Sequence, residues 1–507
     1  MIKIIDNFLN SITMYRLILY ALGISAGFAV LLAYLDAISL PGNWLLVSAA
    51  VLLAVCLVGN KIFAAIFKAP TNVESAAITA LILFFVISPA YSWYSGLGLA
   101  AIGALATASK YLLAINKKHL FNPAAVGAVL GGLLGLGASS WWISQPILLP
   151  LVVVLGFLVV RKLRRFKMFF AFIAVSLVAG AVFSAANGGL EKISFTASIV
   201  QPLLSWPLVF FGTIMLTEPL TTPPTKKWRL VYAAIVGVLF GLPLRFGSFY
   251  LTAEAALVIG NLFSFLVSFK QRLVLRLKGK QKLAPKIIEF IFTADRRFAF
   301  LPGQYLEWTL AHRHADNRGN RRYFTIASSP TEPDIHLVVK IFEQSSSYKK
   351  ALSSLNIGDR IVAGQLDGEF TLPKNPEKKI VFIAGGIGIT PFRSMLQYII
   401  DTKQKRDVVL LYAATNSAEF VYQEIFTQAE QYGVKTVYVV TARTGLPTAE
   451  ARAGRIDRAL IESEITNYQQ RTYYLSGPPG MVTAYRELLL SLGIGRRQIK
   501  TDYFPGY

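Results

Sequence analysis

A run of four residues in the second half of the chain carries three kinds of chemistry at consecutive positions. It reads Arg322-Tyr323-Phe324-Thr325 and leads directly into a turn-forming segment at residues 326–330. An arginine guanidinium can hold two phosphate oxygens, an aromatic ring can lie flat on a planar heterocycle, and a threonine hydroxyl can hydrogen-bond the edge of that ring. The run therefore predicts a site for a phosphorylated cofactor that contains a planar ring.

Two later segments have the composition of dinucleotide-binding loops. Gly385-Gly386-Ile387-Gly388-Ile389-Thr390 follows a predicted strand, where glycines let the backbone approach a pyrophosphate at a helix N-terminus. Ser476-Gly477-Pro478 follows another predicted strand near the end of the sequence. One glycine-rich loop alone is a weak signal, but the order of the loops along the chain strengthens it.

Two kinds of sheet are predicted to position these residues. Runs rich in β-branched and aromatic residues at 286–293 and 335–342, with Gly/Pro turns between them, predict a small antiparallel β-barrel. From residue 380 onward strands alternate with helices, which predicts a parallel α/β sheet. We expect strands of that sheet at 380–384, 407–413, 436–441 and 473–475.

In the order of these motifs, residues 285–507 resemble the ferredoxin–NADP reductase family. The resemblance implies that FAD binds to the barrel and that NAD(P)H binds to the α/β sheet. It implies FAD contacts at Arg322, Tyr323, Phe324, Thr325, Ser345, Ser346 and Ser347. It implies NAD(P)H contacts at Gly385, Gly386, Gly388, Thr390, Gly477 and Pro478.

The same resemblance implies three catalytic positions. Thr325 would bond the flavin N5 edge, Ser476 would lie beside the nicotinamide where the family often has Cys, and Phe504 or Tyr507 would be the C-terminal aromatic against the flavin. NADP-specific members carry Ser/Arg pairs after the second α/β strand, whereas residues 413–417 here contain no arginine. NADH is therefore favoured, and Arg443 keeps NADPH open.

Composition divides the chain into two unlike parts. Residues 1–272 hold 19 Lys+Arg and 6 Asp+Glu, and residues 273–507 hold 32 and 22. The net charge of +23 is interpreted as cytoplasmic charge of a membrane protein and not as a nucleic-acid surface, since no nucleic-acid motif is present. The single Cys56 excludes disulfides within the chain and a four-cysteine iron–sulfur cluster. No metal site is expected.

The first part reads as a polytopic membrane domain. About ten apolar runs are predicted as spans, and they lie at 14–35, 43–59, 74–90, 94–109, 122–139, 145–160, 168–186, 204–218, 229–244 and 249–269. With the N-terminus inside, inner loops carry 13 Lys/Arg and outer loops carry two, Lys192 and Arg245. The positive-inside rule then places the N-terminus and the second part of the chain in the cytoplasm.

The flanks of this domain carry further expectations. Residues 270–286 are predicted to be a basic juxtamembrane linker at anionic headgroups. The start of the chain does not read as a cleaved signal, and residues 2–12 fit an interfacial helix. His119 is the one histidine in the domain, so a pair of histidine-ligated haems is not expected.

Two motifs in residues 60–270 resemble a family of membrane proteins, NqrB of the sodium-translocating NADH:quinone reductase (Nqr) and RnfD of the Rnf complex. They are Lys118-His119-Leu120-Phe121-Asn122-Pro123-Ala124-Ala125 and Met215-Leu216-Thr217-Glu218-Pro219-Leu220-Thr221-Thr222-Pro223. The resemblance implies ten spans in two inverted halves and flavin held near Asn122, Thr217 and Glu218. FMN is the implied flavin, with riboflavin as a further candidate. Helix packing is the plainer explanation of both motifs.

In this family FMN is attached covalently to the last Thr of a Ser/Thr-Gly-Ala-Thr-like motif. The corresponding loop here places Ser198 at the acceptor position, with Thr196 as the neighbouring hydroxyl, and the motif is degraded. The plainer explanation is a polar loop that caps the next helix. Nqr also uses a [2Fe–2S] domain that one cysteine cannot build, so electrons would pass from FAD to membrane flavin directly or through another chain.

The sequence thus predicts three domains: an all-α transmembrane flavin domain at 1–272, a β-barrel FAD domain at 273–375 and an α/β NAD(P)H domain at 376–507. The predicted function is an NAD(P)H dehydrogenase of the cell membrane that passes electrons to a quinone or flavin-type acceptor, with further redox subunits and Na⁺ coupling left open. Glu74, Glu218 and Glu254 are candidates for ion coupling because carboxylates inside a bilayer are costly. The alternative is a flavin transporter or redox sensor with a regulatory reductase module.

Overall fold

The chain folds as two compact units that divide close to residue 270. We call residues 1–270 the helical unit and residues 271–506 the β-rich unit. The computed structural model describes residues 5, 8–9, 12–67, 72–115, 118–188, 199–247, 249–268, 273–312, 320–343, 345–441 and 451–502. The predicted interfacial helix at 2–12 lies largely outside these residues.

The helical unit consists of apolar helices that alternate with short irregular segments. Its helices are α1 (Met14–Tyr34), α2 (Gly42–Ile66), α3 (Val73–Val86), α4 (Trp93–Leu112), α5 (Pro123–Leu133), α6 (Leu149–Leu163), α7 (Phe166–Gly188), α8 (Gln201–Ser205), α9 (Leu208–Phe210), α10 (Lys226–Gly241) and α11 (Ala253–Val267). A π-helical turn at Phe211–Met215 continues α9. In the described part of the chain, three helices, α1, α2 and α7, are long and apolar enough to cross a membrane.

The prediction of about ten spans was wrong by this criterion. A span needs about 20 residues, whereas α3 has 14 residues and α5 has 11. Proline interrupts two short apolar runs, 74–90 and 204–218, which the sequence already marked as candidates for broken helices around a site. α3 ends at Val86, three residues before Pro89, and the run at 204–218 is divided into α8, α9 and the π turn around Pro207.

The helical unit repeats one order of elements. α4 is followed by a hairpin of β1 (Ala114–Ile115) and β2 (Lys118–His119) and then by the short helix α5. α10 is followed by a hairpin of β3 (Arg245–Phe246) and β4 (Phe249–Tyr250) and then by α11. The backbone pairing is the same in both copies, because the Leu120 N–H donates to the Leu113 carbonyl and the Leu251 N–H donates to the Leu244 carbonyl.

Small and polar residues join these helices at close range. A Cβ on Gly127 would lie 2.6 Å from the Cβ of Ala106, so α5 and α4 pack almost backbone to backbone. Cys56 on α2 is fully buried, and its Sγ lies 3.7 Å from the carbonyl oxygen of Gly103 on α4. Packing in this unit therefore depends on small side chains.

The β-rich unit begins with an antiparallel six-stranded sheet in the order β8-β7-β10-β5-β6-β9. Its strands are β5 (Leu273–Ala284), β6 (Ile287–Ala294), β7 (Tyr305–Thr309), β8 (Arg321–Thr325), β9 (Ile335–Lys340) and β10 (Arg360–Asp367). The helix α12 (Ser347–Ser353) lies between β9 and β10 in the chain. The sheet curls into a half-barrel, and its end strands approach where the Ala327 N–H donates to the His336 carbonyl.

The predicted basic linker at 270–286 contains the strand β5 over residues 273–284. In β5 the buried residues Leu273, Leu275 and Leu277 alternate with more exposed residues such as Arg276 and Lys278. This period of two places the leucines in the core of the half-barrel. The many lysines and arginines of this segment led to its interpretation as a linker, although buried and exposed residues alternate along it.

The second sheet of the β-rich unit is parallel and six-stranded, in the order β14-β13-β12-β11-β15-β16. Its strands are β11 (Ile380–Gly385), β12 (Val408–Ala414), β13 (Val434–Val440), β14 (Ala451–Ala453), β15 (Thr472–Ser476) and β16 (Ile499–Thr501). The helices α13 (Thr390–Asp401), α14 (Gln423–Ala429), α15 (Arg458–Glu464) and α16 (Pro479–Ser491) connect the strands. Apolar clusters lie on both faces, as parallel sheets require.

Candidate functional site

The order of the parallel sheet fixes where a ligand can bind. From β11 the chain runs outward in one direction through β12 to β14, and it then returns to the other side of β11 as β15. The strand order therefore reverses between β11 and β15. A crevice at the carboxyl ends of strands at such a reversal is the usual ligand site of open α/β sheets.

Both predicted dinucleotide loops meet at this reversal. Ala384 on β11 pairs with Ser476 on β15, so the segments that follow these residues emerge side by side. A Cβ on Gly388 would lie 2.3 Å from the carbonyl oxygen of Ser476, and Gly477 has a φ of +153°. Glycine is required at both positions, because a side chain would force the two loops apart.

Two other glycines of these loops differ in their surroundings. A Cβ on Gly385 would lie 2.1 Å from the Met481 Sδ, which is the end of a flexible side chain. Gly386 has a φ of +54° and open space beyond its Cα. The open space at Gly386 lets a phosphate approach the backbone where α13 begins. Thr390 is the first residue of α13, and its hydroxyl donates to the Ile387 carbonyl.

The strand β8 presents its four predicted residues on two faces. Arg322 and Phe324 stand opposite Trp308 and Leu306 on β7. Both contact Tyr348 of α12: the Arg322 guanidinium carbon lies 5.1 Å from the centre of that ring, and the Phe324 ring centre lies 5.9 Å from it. Arg322 is buried, so a phosphate must approach closely to contact its guanidinium.

The other face of β8 carries Tyr323 and Thr325. The Tyr323 hydroxyl donates to the Glu307 carboxylate over 2.8 Å, and burial together with Glu307 raises the pKa of this phenol well above its ordinary value. Tyr323 is therefore tied to β7, on the face opposite Arg322 and Phe324. Thr325 is buried at the end of β8, where the chain turns into the 326–330 segment.

The three predicted serines lie at the start of α12, directly before Tyr348, the residue that Arg322 contacts. Ser346 caps the helix by accepting from the Lys349 N–H, and the Ser345 hydroxyl accepts from the Phe342 N–H. The Ser347 hydroxyl lies 3.0 Å from His312 Nε2. A buried guanidinium beside hydroxyls and a helix start suits a pyrophosphate, so these residues fit the phosphate end of FAD.

A carboxylate to which the motifs assign no role lies beside Ser476. The Ser476 hydroxyl donates to Asp502 Oδ2 over 3.2 Å, and the Asp502 N–H donates to the Leu475 carbonyl. Asp502 directly follows β16, the parallel neighbour of β15. Its position after a strand at the ligand edge was the signal available in the sequence.

The two long motifs of the helical unit also meet. The Asn122 side chain donates to Glu218 Oε2 over 2.9 Å, and His119 Nε2 lies 3.5 Å from Glu218 Oε1. Thr217 is fully buried, and its carbonyl accepts from Arg165. Asn261 of α11, which the sequence analysis did not single out, accepts from the Asn122 N–H over 2.8 Å.

Some predicted residues lie outside the described part of the chain. They are Ser198, Thr196, Arg443, Phe504 and Tyr507.

Comparison with known proteins agrees with this geometry. Residues 382–487 match the oxidoreductase NAD-binding domain family. The chain is 26% identical over 222 residues to the glycine betaine monooxygenase reductase subunit of Chromohalobacter salexigens, covering 42% of this chain and 59% of that protein. It is 33% identical over 169 residues to the F subunit of the Na⁺-translocating NADH-quinone reductase of Actinobacillus pleuropneumoniae, covering 32% and 40%. The chain thus spans between 40% and 59% of the length of these two relatives.

One solved structure with a similar fold is the flavohem-like FAD/NAD-binding domain of nitric oxide dioxygenase from Vibrio cholerae O1 biovar El Tor. The TM-score is 0.41 at 19% identity, and the match covers 45% of this chain and 97% of that domain.

The family match and the fold indicate an oxidoreductase NAD-binding α/β domain that is preceded by an antiparallel half-barrel. The β-rich unit is accordingly similar to NAD(P)H-dependent flavin reductase modules that transfer electrons.

Proposed function

We propose that the chain is a membrane-bound NADH-oxidising flavoprotein that passes electrons from FAD in the β-rich unit to flavin in the helical unit. One observation carries the reductase half of this proposal. The loops at Gly385–Gly388 and Ser476–Pro478 are packed against each other at the strand-order reversal, in the same unit as the Arg322 site. This arrangement supports a nicotinamide and a flavin held in one active site.

The residues of the half-barrel have distinct roles in this proposal. Bound FAD would supply the ability to take two electrons from NADH and release them one at a time. Arg322 holds the pyrophosphate, Phe324 orients the ring system and Thr325 donates a hydrogen bond to its edge. Tyr323, assigned to FAD by the sequence, instead braces β8 against β7 through Glu307.

The α/β sheet holds the other ligand. The glycines at 385, 386 and 388 bring the backbone and Thr390 against the NADH pyrophosphate. Ser476, held by Asp502, orients the nicotinamide beside the Gly477-Pro478 turn. NADH is preferred to NADPH, because Ala413, Ala414 and the residues up to Ser417 offer no guanidinium for a 2′-phosphate.

The proposed acceptor in the helical unit is FMN, with riboflavin as a second flavin there. The segment around Asn122, Thr217 and Glu218 would hold flavin, and Ser198 would carry covalent FMN, with Thr196 as the alternative attachment point. Two independent resemblances support this assignment. The helical unit resembles NqrB in its motifs, and the chain is 33% identical over 169 residues to the F subunit of an enzyme of the same kind.

The remaining parts of the proposal concern location and partners. We place the helical unit in the cell membrane with the N-terminus and the β-rich unit in the cytoplasm, on the distribution of Lys and Arg in the loops. Electrons would leave to a quinone or a flavin-type acceptor, directly or through further redox subunits. Coupling to Na⁺ rests on the resemblance to Nqr and Rnf.

The test uses purified full-length protein in detergent under anaerobic conditions. A visible spectrum with cofactor extraction should show FAD and a second flavin, and NADH should bleach both. With a quinone as acceptor, oxidation of NADH should continue for many turnovers. A flavin transporter or redox sensor would at most be reduced once without sustained turnover. Failure of NADH to bleach bound FAD would refute the proposed function.

A further inference from the structure

A closed ring of contacts joins the two sheets of the β-rich unit behind the proposed active site. Its five members are Ala327, Arg393, Tyr422, Glu289 and His336, and we call it the inter-sheet ring. The Arg393 guanidinium donates to the Ala327 carbonyl over 3.2 Å and lies 5.4 Å from the centre of the Tyr422 ring. The Tyr422 hydroxyl donates to Glu289 over 2.7 Å, and His336 Nδ1 lies 3.0 Å from the same oxygen. The His336 carbonyl then accepts from the Ala327 N–H, which closes the ring.

Three members of the inter-sheet ring lie close in the chain to parts of the site. Ala327 is two residues beyond Thr325, the proposed flavin-edge residue. Arg393 is on the first turn of α13, which begins at Thr390 of the dinucleotide loop. Tyr422 ends the segment after β12, where the adenosine part of NADH would lie. The ring therefore connects the flavin strand with both ends of the dinucleotide site.

Ala327, Arg393 and Glu289 of the ring are buried, whereas Tyr422 and His336 are partly exposed. Arg393 is 6% exposed, and both its terminal nitrogens bond the Glu332 carboxylate. Glu332 in turn accepts from the Ser329 N–H, and Ser394 donates to the Ser328 carbonyl over 2.7 Å. The carbonyls of residues 327 and 328 are thus bonded to α13, and residue 329 is linked to it through Glu332. Tyr422 has a φ of +64°, a left-handed conformation that few residues other than glycine adopt, so its ring is held in place against a backbone cost.

We propose that Arg393 and Tyr422 are positioning residues that set the distance between the nicotinamide and the flavin. This role rests on the proposed function, because it concerns transfer from NADH to FAD. Transfer requires reacting atoms about 3–3.5 Å apart, and an error of 1 Å costs about 100-fold in rate. The inter-sheet ring fixes this distance because it bonds the helix behind one ligand to the strand behind the other.

The chain supplies a matched control for Arg393. Arg471 is also buried and also forks onto a carboxylate, with its Nη2 3.0 Å from Asp407 Oδ2. It precedes β15, so it lies at the amino ends of the parallel strands, opposite the ligand edge. Arg393→Met and Arg471→Met each remove a buried guanidinium and leave a carboxylate partner, but only the first opens the inter-sheet ring.

The experiment measures transfer and local structure separately in the full-length protein. Stopped-flow reduction of bound FAD by NADH, and by NADH deuterated at C4, gives the transfer rate and its isotope effect. Arg393→Met should slow transfer about 100-fold with unchanged FAD content, Tyr422→Phe about tenfold, and Arg471→Met less than threefold. Amide hydrogen exchange on the FAD-free protein should be faster at residues 326–330 in Arg393→Met and unchanged there in Arg471→Met.

Each contrary outcome is decisive. If Arg393→Met and Arg471→Met change the transfer rate and the amide exchange equally, the inter-sheet ring contributes to folding only. That result would overturn the proposal. If Arg393→Met does not fold, Tyr422→Phe tests the proposal, since it keeps the aromatic side chain and removes only the hydroxyl that bonds Glu289. An unchanged transfer rate in Tyr422→Phe overturns the proposal. Lack of FAD reduction in the unsubstituted protein would refute the proposed function and this role with it.

Discussion

Substitution of Gly388 by alanine tests the central geometry of the site. The new Cβ would lie 2.3 Å from the Ser476 carbonyl oxygen and 2.6 Å from the Gly477 nitrogen. An unstrained contact needs about 3.4 Å, so the loop after β11 and the loop after β15 must separate by about 1.1 Å. Both obstacles are backbone atoms in tight turns, and no side chain can rotate away. We expect a loss of about 1–3 kcal/mol in stability and of about 100-fold in the rate of FAD reduction.

Two neighbouring glycines give the comparison. Gly480→Ala meets nothing within 4 Å and lies in the first turn of α16, so it should leave the rate unchanged and stability equal or slightly higher. Gly385→Ala meets the flexible Met481 side chain, which can move, so its effect should be smaller than that of Gly388→Ala. The assay combines urea unfolding with anaerobic stopped-flow reduction by NADH. A Gly388→Ala protein with normal NADH affinity and normal reduction would refute the placement of NADH between these loops.

Four further predictions concern the cofactors and pH. Arg322→Ala should lower FAD affinity by about 10–100-fold, measured by flavin fluorescence on release, because a charge-assisted phosphate bond is worth about 1.5–3 kcal/mol; unchanged affinity would move the pyrophosphate elsewhere. Burial alone would raise the pKa of Glu289, but hydrogen bonds from His336 and Tyr422 lower it overall, so its stabilising effect is complete above its ordinary pKa of 4.5 and is lost as pH falls through the lowered value. Glu289→Gln should therefore weaken the loss of stability in acid urea titrations, and an identical acid limb would contradict this linkage. In-gel flavin fluorescence after denaturation, with a flavin transferase co-expressed, should disappear in Ser198→Ala and survive in Thr196→Ala, whereas the reverse pattern moves the attachment point by two residues. The purified protein should show no stoichiometric haem Soret band, and such a band would replace the flavin path in the helical unit.

The sequence was most informative where local pattern and topology agree. The strands β11, β12, β13 and β15 were predicted to within two residues, because buried parallel strands are short apolar runs bounded by turns. The glycine loops followed these strands as expected. The contact of Asn122 with Glu218, 96 residues apart, depends on the packing of the helices, and the motifs alone did not predict it.

The failures have physical causes. In β5 the alternation was hidden by lysines and arginines on the exposed face, so the strand was interpreted as a linker. Tyr323 shares a motif with Arg322 and Phe324 but faces the other side of β8, since side chains alternate along a strand. Asp502 and the inter-sheet ring depend on contacts between distant segments, such as Glu289 with Tyr422, 133 residues apart. The count of about ten spans included the short runs 74–90 and 204–218, which proline-containing segments divide or shorten.

The buried Cys56 makes the whole chain a convenient background for spectroscopic labelling. It is the single cysteine of the sequence, and its side chain is fully enclosed between α2 and α4. A thiol-reactive probe should therefore ignore the native protein and mark only a cysteine introduced at the surface. Pairs of such marks, one in the helical unit and one in the β-rich unit, would report the separation of the two units during turnover without removal of any native residue.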